Sequence, residues 1–232
     1  MDPGKRPSKA RLMAAIATGF VLTLGLLSGT LWVVRQSLEA TVVDATQSAN
    51  ASMTQAFINE NWVRVRVLLP RGEDWAPATV RASPANAEID ELVRAFSKGT
   101  DVLKIKIYNA AGRVLYSSDP GQIGDDASTN RYFRAALAGQ PGSQLTFRGR
   151  FDAMEGHVFD RDLIASYIPV RYESRVEGVV ELYADRTFAV AQFRDALTAL
   201  ALILAPVYLG LYGVILFLLV RHQRLRDQKE SA

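Results

Sequence analysis

The stretch Asp160 to Thr187, "DRDLIASYIPVRYESRVEGVVELYADRT", reads as two strands joined by a turn. In the first, Ile164, Ile168 and Val170 share a face with Ser166, and Tyr167 points the other way. In the second, Val180 and Leu182 oppose Glu181 and Tyr183. Period-two alternation of this kind marks strands, each here with an aliphatic face and a face carrying tyrosine. Asp185 follows and opens a helical stretch. The question is whether the tyrosine faces pack as an ordinary half-buried layer or line a site.

Working back toward the N-terminus, "SQLTFRGRF" reads as another strand, and Asn130 to Ala138 as a short helix stopped by Gly139. Leu103, Ile105 and Ile107 alternate with Lys104, Lys106 and Tyr108, which predicts one core face and one face outside the core. "NAAG", Asn109 to Gly112, is a hairpin turn before the return strand "RVLYSS". Ser83-Pro84 predicts a helix start, with Ser as N-cap and Pro in the first turn, and Gly99 its end. From Arg35 to about Leu69, Leu38, Val42, Ala45, Ala49, Met53 and Ala56 recur at steps of three or four, predicting one long helix. That stripe suits packing on the domain's own sheet or on a partner helix. The order of elements predicts an α+β fold with an antiparallel sheet and a long N-terminal helix.

Two segments lie outside this pattern. Leu12 to Val34 and Ala196 to Val220 run 23 and 25 residues without a charge. A helix of about 20 apolar residues crosses a bilayer core. The first is longer than a signal-peptide core of about 7 to 15 residues and ends on Trp32 without a small-x-small site, so a retained anchor is expected. Lys5, Arg6, Lys9 and Arg11 precede the first span; Arg221, Arg224, Arg226 and Lys229 follow the second. By the positive-inside rule both termini are cytoplasmic and the segment 35–195 lies outside. The boundaries expected are a tail 1–11, spans 12–34 and 196–220, an outer domain 35–195 and a tail 221–232. Taking the eight basic and three acidic residues of the tails from totals of 27 and 24 leaves 19 and 21. The outer domain is therefore near neutral, and the net charge of +3 speaks for topology, not for nucleic acid. Gly25 to Gly29 is a small-xxx-small pattern that suits close helix approach, and a homodimer is expected. Pro206 is expected to interrupt the second span.

The chain has no cysteine, which excludes disulfides, thiolate metal sites and a cysteine nucleophile. It carries no phosphate loop, nucleophile elbow or H-E-x-x-H. His157, Asp160 and Asp162 read as a solvated polar loop and not as a metal cluster. No catalytic residue, metal or cofactor is expected.

Three stretches carry a family resemblance: "VLKIKIYNAAGRVLYSSDPGQIGDD" from Val102, "NRYFRAALAG" from Asn130, and the opening stretch with its Gly-Val-x-Glu-x-Tyr-x-Asp-x-Thr ending. Together, with a span at each end, they resemble the Cache (PAS-like) extracytoplasmic sensor domains, and more particularly the input regions of bacterial membrane sensor histidine kinases and diguanylate cyclases. The match covers about Asp101 to Thr187. It implies a PAS-like sheet, a periplasmic domain on an inner-membrane two-pass chain, a small-molecule ligand and signal transduction as in two-component systems. Many Cache domains hold a carboxylate with an Arg two residues before the helix's first aromatic, and Asn130 stands at that place here, with Arg131 beside it. Only twelve residues follow the second span, so the expected output is a separate cytoplasmic kinase or cyclase partner. A detached input half of such an enzyme, and an envelope interaction module without a ligand, are the alternatives.

The candidate ligand-binding residues are Lys106, Tyr108, Arg131, Tyr132, Arg148, Tyr167 and Asp185, with Arg150 in the same closing segments. The lysine and tyrosines come from the non-aliphatic strand faces. The arginines and Tyr132 come from segments that close over the sheet in the family. Asp185 matches the family's terminal Asp, which meets a ligand amine in amino-acid-binding members. Its other reading is a helix cap, because a carboxylate satisfies the free amides of a first turn.

Overall fold

The computed structural model describes residues 9–69 and 76–230. The chain divides into two units, one taking in residues up to Glu39 and from Gln192 onward, the other spanning Ala40–Ala191. Helix α1 runs Lys9–Val65 and helix α5 runs Thr187–Glu230. Between them come α2 (Pro77–Arg81), α3 (Pro84–Ser97), β1 (Val102–Asn109), β2 (Val114–Ser117), α4 (Arg131–Leu137), β3 (Gly142–Ala153), β4 (Gly156–Tyr172) and β5 (Arg175–Asp185).

The five strands form one antiparallel sheet in the order β2-β1-β5-β4-β3. The α+β class and the antiparallel sheet are those the sequence predicts. The aliphatic faces of the strands build the larger core: Ile105, Ile107, Ile168, Val170, Val180 and Leu182 pack with Ile58, Val65, Ile89 and Val93 of α1 and α3. A buried polar link adds register to that packing. Asn50 Nδ2 of α1 donates to Ser166 Oγ of β4 at 2.9 Å, and Ser143 Oγ of β3 meets the same hydroxyl at 2.9 Å. Helix α3 starts as its sequence predicts, Ser83 Oγ accepting from Asn86 N. The 40–191 end of α1 packs on its own domain's sheet through Asn50, Thr54, Phe57, Ile58 and Val65, whereas Ala45, Ala49 and Ala56 of the expected stripe are exposed.

The other face of the sheet departs from expectation. Lys104 and Lys106 are 2% and 9% exposed, and Tyr108 is 3%. Both faces of β1 are therefore buried. The second layer consists of α4 and the loop before it, with Phe133 and Ala136 against Tyr108, Ala165, Tyr167 and Val179. A period-two pattern with polar residues on one face reports which residues share a face, not whether something covers it.

The expected polar loop at His157, Asp160 and Asp162 is a strand. Strand β4 begins at Gly156 and pairs with β3 from Ala153↔Gly156 through Gly142↔Tyr167. Gly156, at φ +117°, supplies the turn conformation that lets the chain reverse there. Val158-Phe159 followed by the charged Asp160-Arg161-Asp162 shows no apolar alternation, yet the register with β3 runs unbroken through Asp160, which is at φ +52°. His157 Nδ1 lies 2.6 Å from its cross-strand partner Asp152. Among the described residues no group of His, Asp and Glu is placed to hold a metal ion.

Gly178 sits where β5 passes closest to β1. A Cβ there would press on the Tyr108 carbonyl oxygen and lie 2.8 Å from Leu69 Cδ2. This contact requires glycine for space, not for backbone freedom.

The other unit is a helix pair, and both of its helices are long and apolar enough to cross a membrane. Tyr212 Oη of α5 donates to the Ile16 carbonyl at 2.7 Å, and its ring lies 5.8 Å from that of Phe20. Tyr208 Oη and Thr30 Oγ1 are 3.2 Å apart. Such bonds satisfy hydroxyls that have no water to turn to in lipid. Pro206 lies inside α5. Gly25 and Gly29 meet no neighbour within 4 Å at the position of an added Cβ.

Candidate functional site

The second face of the sheet holds a cavity of about 380 Å³, within the range of small-molecule sites. Its floor comes from β1, β4 and β5, which place Lys106 and Tyr108, Tyr167, and Glu181 and Tyr183 side by side. The register does this directly: Lys106 pairs with Glu181, Glu181 with Tyr167, and Tyr183 with Ala165. The mouth is formed by Asp125, Asp126 and Asn130 of the loop leading into α4.

Glu181 is the centre of this arrangement. It is 1% exposed, and a buried carboxylate is costly unless its oxygens are paired. Tyr108 Oη donates to Glu181 Oε2 at 2.5 Å. Lys106 Nζ lies 3.9 Å from the same oxygen, an ion pair but too long for a hydrogen bond. Oε1 is buried and has no hydrogen-bond partner. Each site tyrosine feels the burial and this charge. Desolvation pushes Tyr108, Tyr167 and Tyr183 well above the ordinary phenol range, and the charge of Glu181 and the pull of its oxygens on the hydroxyl protons push them further, although neither Tyr167 nor Tyr183 stands at bonding distance and angle to Oε1. All three therefore stay protonated and remain donors.

The cavity's tyrosines are backed by further aromatic rings. The Tyr108 ring lies 5.6 Å from Phe133 and 6.5 Å from Tyr167, and Tyr132 stacks on Tyr167 at 6.0 Å. Asn130 caps α4, its Oδ1 accepting from Tyr132 N at 2.8 Å, while its Nδ2 donates to Tyr167 Oη at 3.1 Å. Asn130 thus caps α4 and holds the cavity's tyrosine at once.

No family model matches the chain, and no curated protein matches it. The solved structures similar to it are sensor domains of histidine kinases, chemoreceptors and GGDEF proteins. They include the sensor domain of the Vibrio cholerae histidine kinase DctB, at 16% identity and a TM-score of 0.33, covering 64% of this chain and 57% of that one. The ligand-binding domain of the Campylobacter jejuni chemoreceptor Tlp3, in complex with 4-methylisoleucine, is similar at 14% identity and a TM-score of 0.34, covering 72% and 60%. A domain of a sensory box/GGDEF protein from Vibrio parahaemolyticus is similar at 14% and 0.33, covering 62% and 61%. The chain spans less than two thirds of the length of each of these.

Of the candidate residues, Lys106, Tyr108 and Tyr167 come together in the cavity. The other four lie elsewhere. Arg131 is exposed and lies over its neighbour Tyr132, its guanidinium 4.5 Å from the ring centroid. Tyr132 stacks on Tyr167 from outside the lining. Arg148 is exposed on β3, as is Arg150. Asp185 stands one residue before the cap position of α5 and still binds its first turn: its Oδ1 accepts from Thr187 N at 2.9 Å and from Thr187 Oγ1 at 2.6 Å, and its Oδ2 is 3.6 Å from Arg161.

Glu181 and Tyr183 were legible as sharing a face, but nothing marked Glu181 as a site residue. The signal is its cross-strand pairing with Lys106, which requires knowing that β5 lies beside β1. Asp125 and Asp126 belong to a loop whose path over the sheet is fixed only by tertiary contacts, among them the bridge between Arg113 and Asp126.

Where β5 ends, Arg186 gathers four segments. Its backbone N donates to the Asp162 carbonyl at 2.8 Å, its Nε donates to Thr46 Oγ1 of α1 at 2.9 Å, and its guanidinium pairs with Asp101. Thr187 begins α5 on the next residue.

Proposed function

We propose that the chain is a membrane-bound signal-input protein whose 40–191 unit, outside the membrane, binds a small molecule in the cavity above Glu181. The observation that carries this reading is a buried carboxylate with one unpaired oxygen in the wall of an aromatic cavity. A structural core seldom leaves such an atom unsatisfied. Strand β5 carries Glu181 and runs four residues on to Asp185, the Arg186 junction and α5. A ligand biases such a chain of contacts only through unequal affinity for two states. The two apolar helices then take the change to a cytoplasmic partner, a kinase or cyclase, with both termini on the cytoplasmic side. The reading is of an input protein without its own catalysis.

Thermal unfolding of the full chain in detergent, with and without a panel of small metabolites, tests the proposal. Stabilisation by one chemical class, abolished by Tyr167→Trp in the cavity, is the expected result. No shift for any class, with the same unfolding in Tyr167→Trp, refutes it.

A second reading has its own observation. Phe147 and Phe159, on paired strands β3 and β4, are each 59% exposed. Aromatics left exposed on both strands of one hairpin suit a protein partner. Substituting both with Ser abolishes copurification of an envelope partner if this surface is the functional one, and leaves ligand stabilisation intact.

A further inference from the structure

The cavity's charge pattern says more about what it takes. Its wall carries one cation, Lys106, and three carboxylates, Glu181, Asp125 and Asp126. Lys106 faces Glu181 Oε2, the oxygen already bonded to Tyr108. Asp126 is held by its cap to Ser128 N at 2.8 Å and by Arg113 at 3.9 Å. What remains unanswered is Glu181 Oε1, and around it stand three tyrosines whose hydroxyls donate and whose ring faces are electron-rich. Aromatic faces attract cations, most strongly where water is excluded. No arginine or histidine lines the cavity, so the one positive group available to a ligand carboxylate is already committed to Glu181.

We infer that the ligand is a small organic ammonium, and that one of its N–H groups pairs with Glu181 Oε1 inside the cage of Tyr108, Tyr167 and Tyr183. This rests on the proposal that the cavity binds a small molecule, and adds the ligand's chemical class. The pairing completes the carboxylate's hydrogen bonding. It also brings the wall's formal charge from two negative to one, a change that a carboxylate ligand would drive the other way. An N–H is required, not charge alone, because the orphan oxygen is an acceptor. Asn130 and Asp125 at the mouth set the polar end of the site, and Ala127 with the ring of Tyr108 its apolar side, so the fitting cation has a short hydrocarbon or aromatic body.

The test is calorimetric titration of the full chain in detergent with phenethylammonium, its N-methyl and N,N,N-trimethyl derivatives, 2-phenylethanol and 3-phenylpropionate. Phenethylammonium is expected to bind, the trimethyl compound at least tenfold more weakly, and the alcohol and carboxylate not to bind. The methyl series uses only the unaltered protein, so it holds even where a variant fails to fold. Glu181→Gln is expected to weaken phenethylammonium at least tenfold, with folding checked by circular dichroism. Equal binding of the trimethyl and parent ammonium ions overturns the N–H pairing. Binding of the alcohol or carboxylate with none by the ammonium ions overturns the inference and leaves the cavity as a small-molecule site. Binding by none of the five, together with no thermal shift across the metabolite panel, overturns both.

Discussion

Ser166→Ala tests how α1 is held to the sheet. Ser166 is fully buried and Asn50 is 1% exposed. Their 2.9 Å bond joins α1 to β4 across the core, and Ser143 bonds to the same hydroxyl. Removing the hydroxyl deletes both bonds and strands the Asn50 amide in a place water does not reach. A buried donor left without a partner costs about 1–3 kcal/mol, more than the bond itself is worth in exchange with water. Ser143 is half-buried and turns to solvent at lower cost. The single substitution is therefore expected to lower stability by about 2 kcal/mol, within that range. Asn50→Leu combined with Ser166→Ala removes donor and acceptor together and puts a side chain of similar shape in place. This double variant is expected to recover most of the loss, because no polar group remains stranded. The measurement is the urea midpoint of the full chain in detergent, followed by tryptophan fluorescence. Trp62, stacked on Tyr172 with ring centroids 4.2 Å apart, reports on this unit. An unchanged slope with a shifted midpoint identifies a change in stability and not in the unfolded state. A double variant less stable than Ser166→Ala alone refutes the reasoning, and so does a single variant indistinguishable from wild type.

Three further outcomes follow from other parts of the structure. Gly178→Ala pushes a methyl group against the Tyr108 carbonyl and Leu69, and is expected to destabilise by about 1–3 kcal/mol in the same urea assay. Asp185→Asn keeps an oxygen for the Thr187 amide and is expected to cost only a few tenths of a kcal/mol, whereas Asp185→Ala loses that acceptor and costs about 1 kcal/mol. Equal loss in both would place the carboxylate's charge, and its contact with Arg161, above that bond. Stability is also expected to fall steeply above about pH 10, the ordinary tyrosine pKa. Tyr108, Tyr116, Tyr167 and Tyr183 have folded pKa values raised above that, so their protons are held by the folded chain and released by the unfolded one. Their contribution is complete below pH 10 and is lost as pH rises beyond it. Tyrosinate absorbance for these four should appear only with unfolding, and Tyr108→Phe should make the alkaline fall shallower.

Sequence periodicity carried the aliphatic side of this protein well. Ile164, Ile168, Val170, Val180 and Leu182 announce strands because one unbroken apolar face needs only neighbours along the same strand. Ser83-Pro84 announced α3 because a cap is a local event. The site was half legible. Lys106, Tyr108 and Tyr167 stood out as bulky polar residues on the second face. Glu181 did not, since its meaning comes from Lys106 and Tyr108 across a strand boundary and from a cover made by α4. The β3–β4 hairpin was read short because the charged run Asp160-Arg161-Asp162 carries no apolar alternation, although the strand pairing passes through it. Asp185 held two readings in sequence. The structure shows its bond to Thr187, a contact two residues away that any Asp before a helix is able to make.

The order β2-β1-β5-β4-β3 has a consequence for how this protein comes into being. The strand in the middle of the sheet is the last to be synthesised. Two hairpins, β1–β2 and β3–β4, are able to form as the chain emerges, but each leaves an open edge until β5 arrives to lie between them. Lys106 waits 75 residues for Glu181, its partner in the register. Closure of such distant contacts is slow, and open strand edges invite wrong partners while they wait. The buried carboxylate and its tyrosines are therefore assembled at the final step of folding, just before the apolar α5 follows. A chain interrupted before Arg175 would hold two hairpins and no cavity.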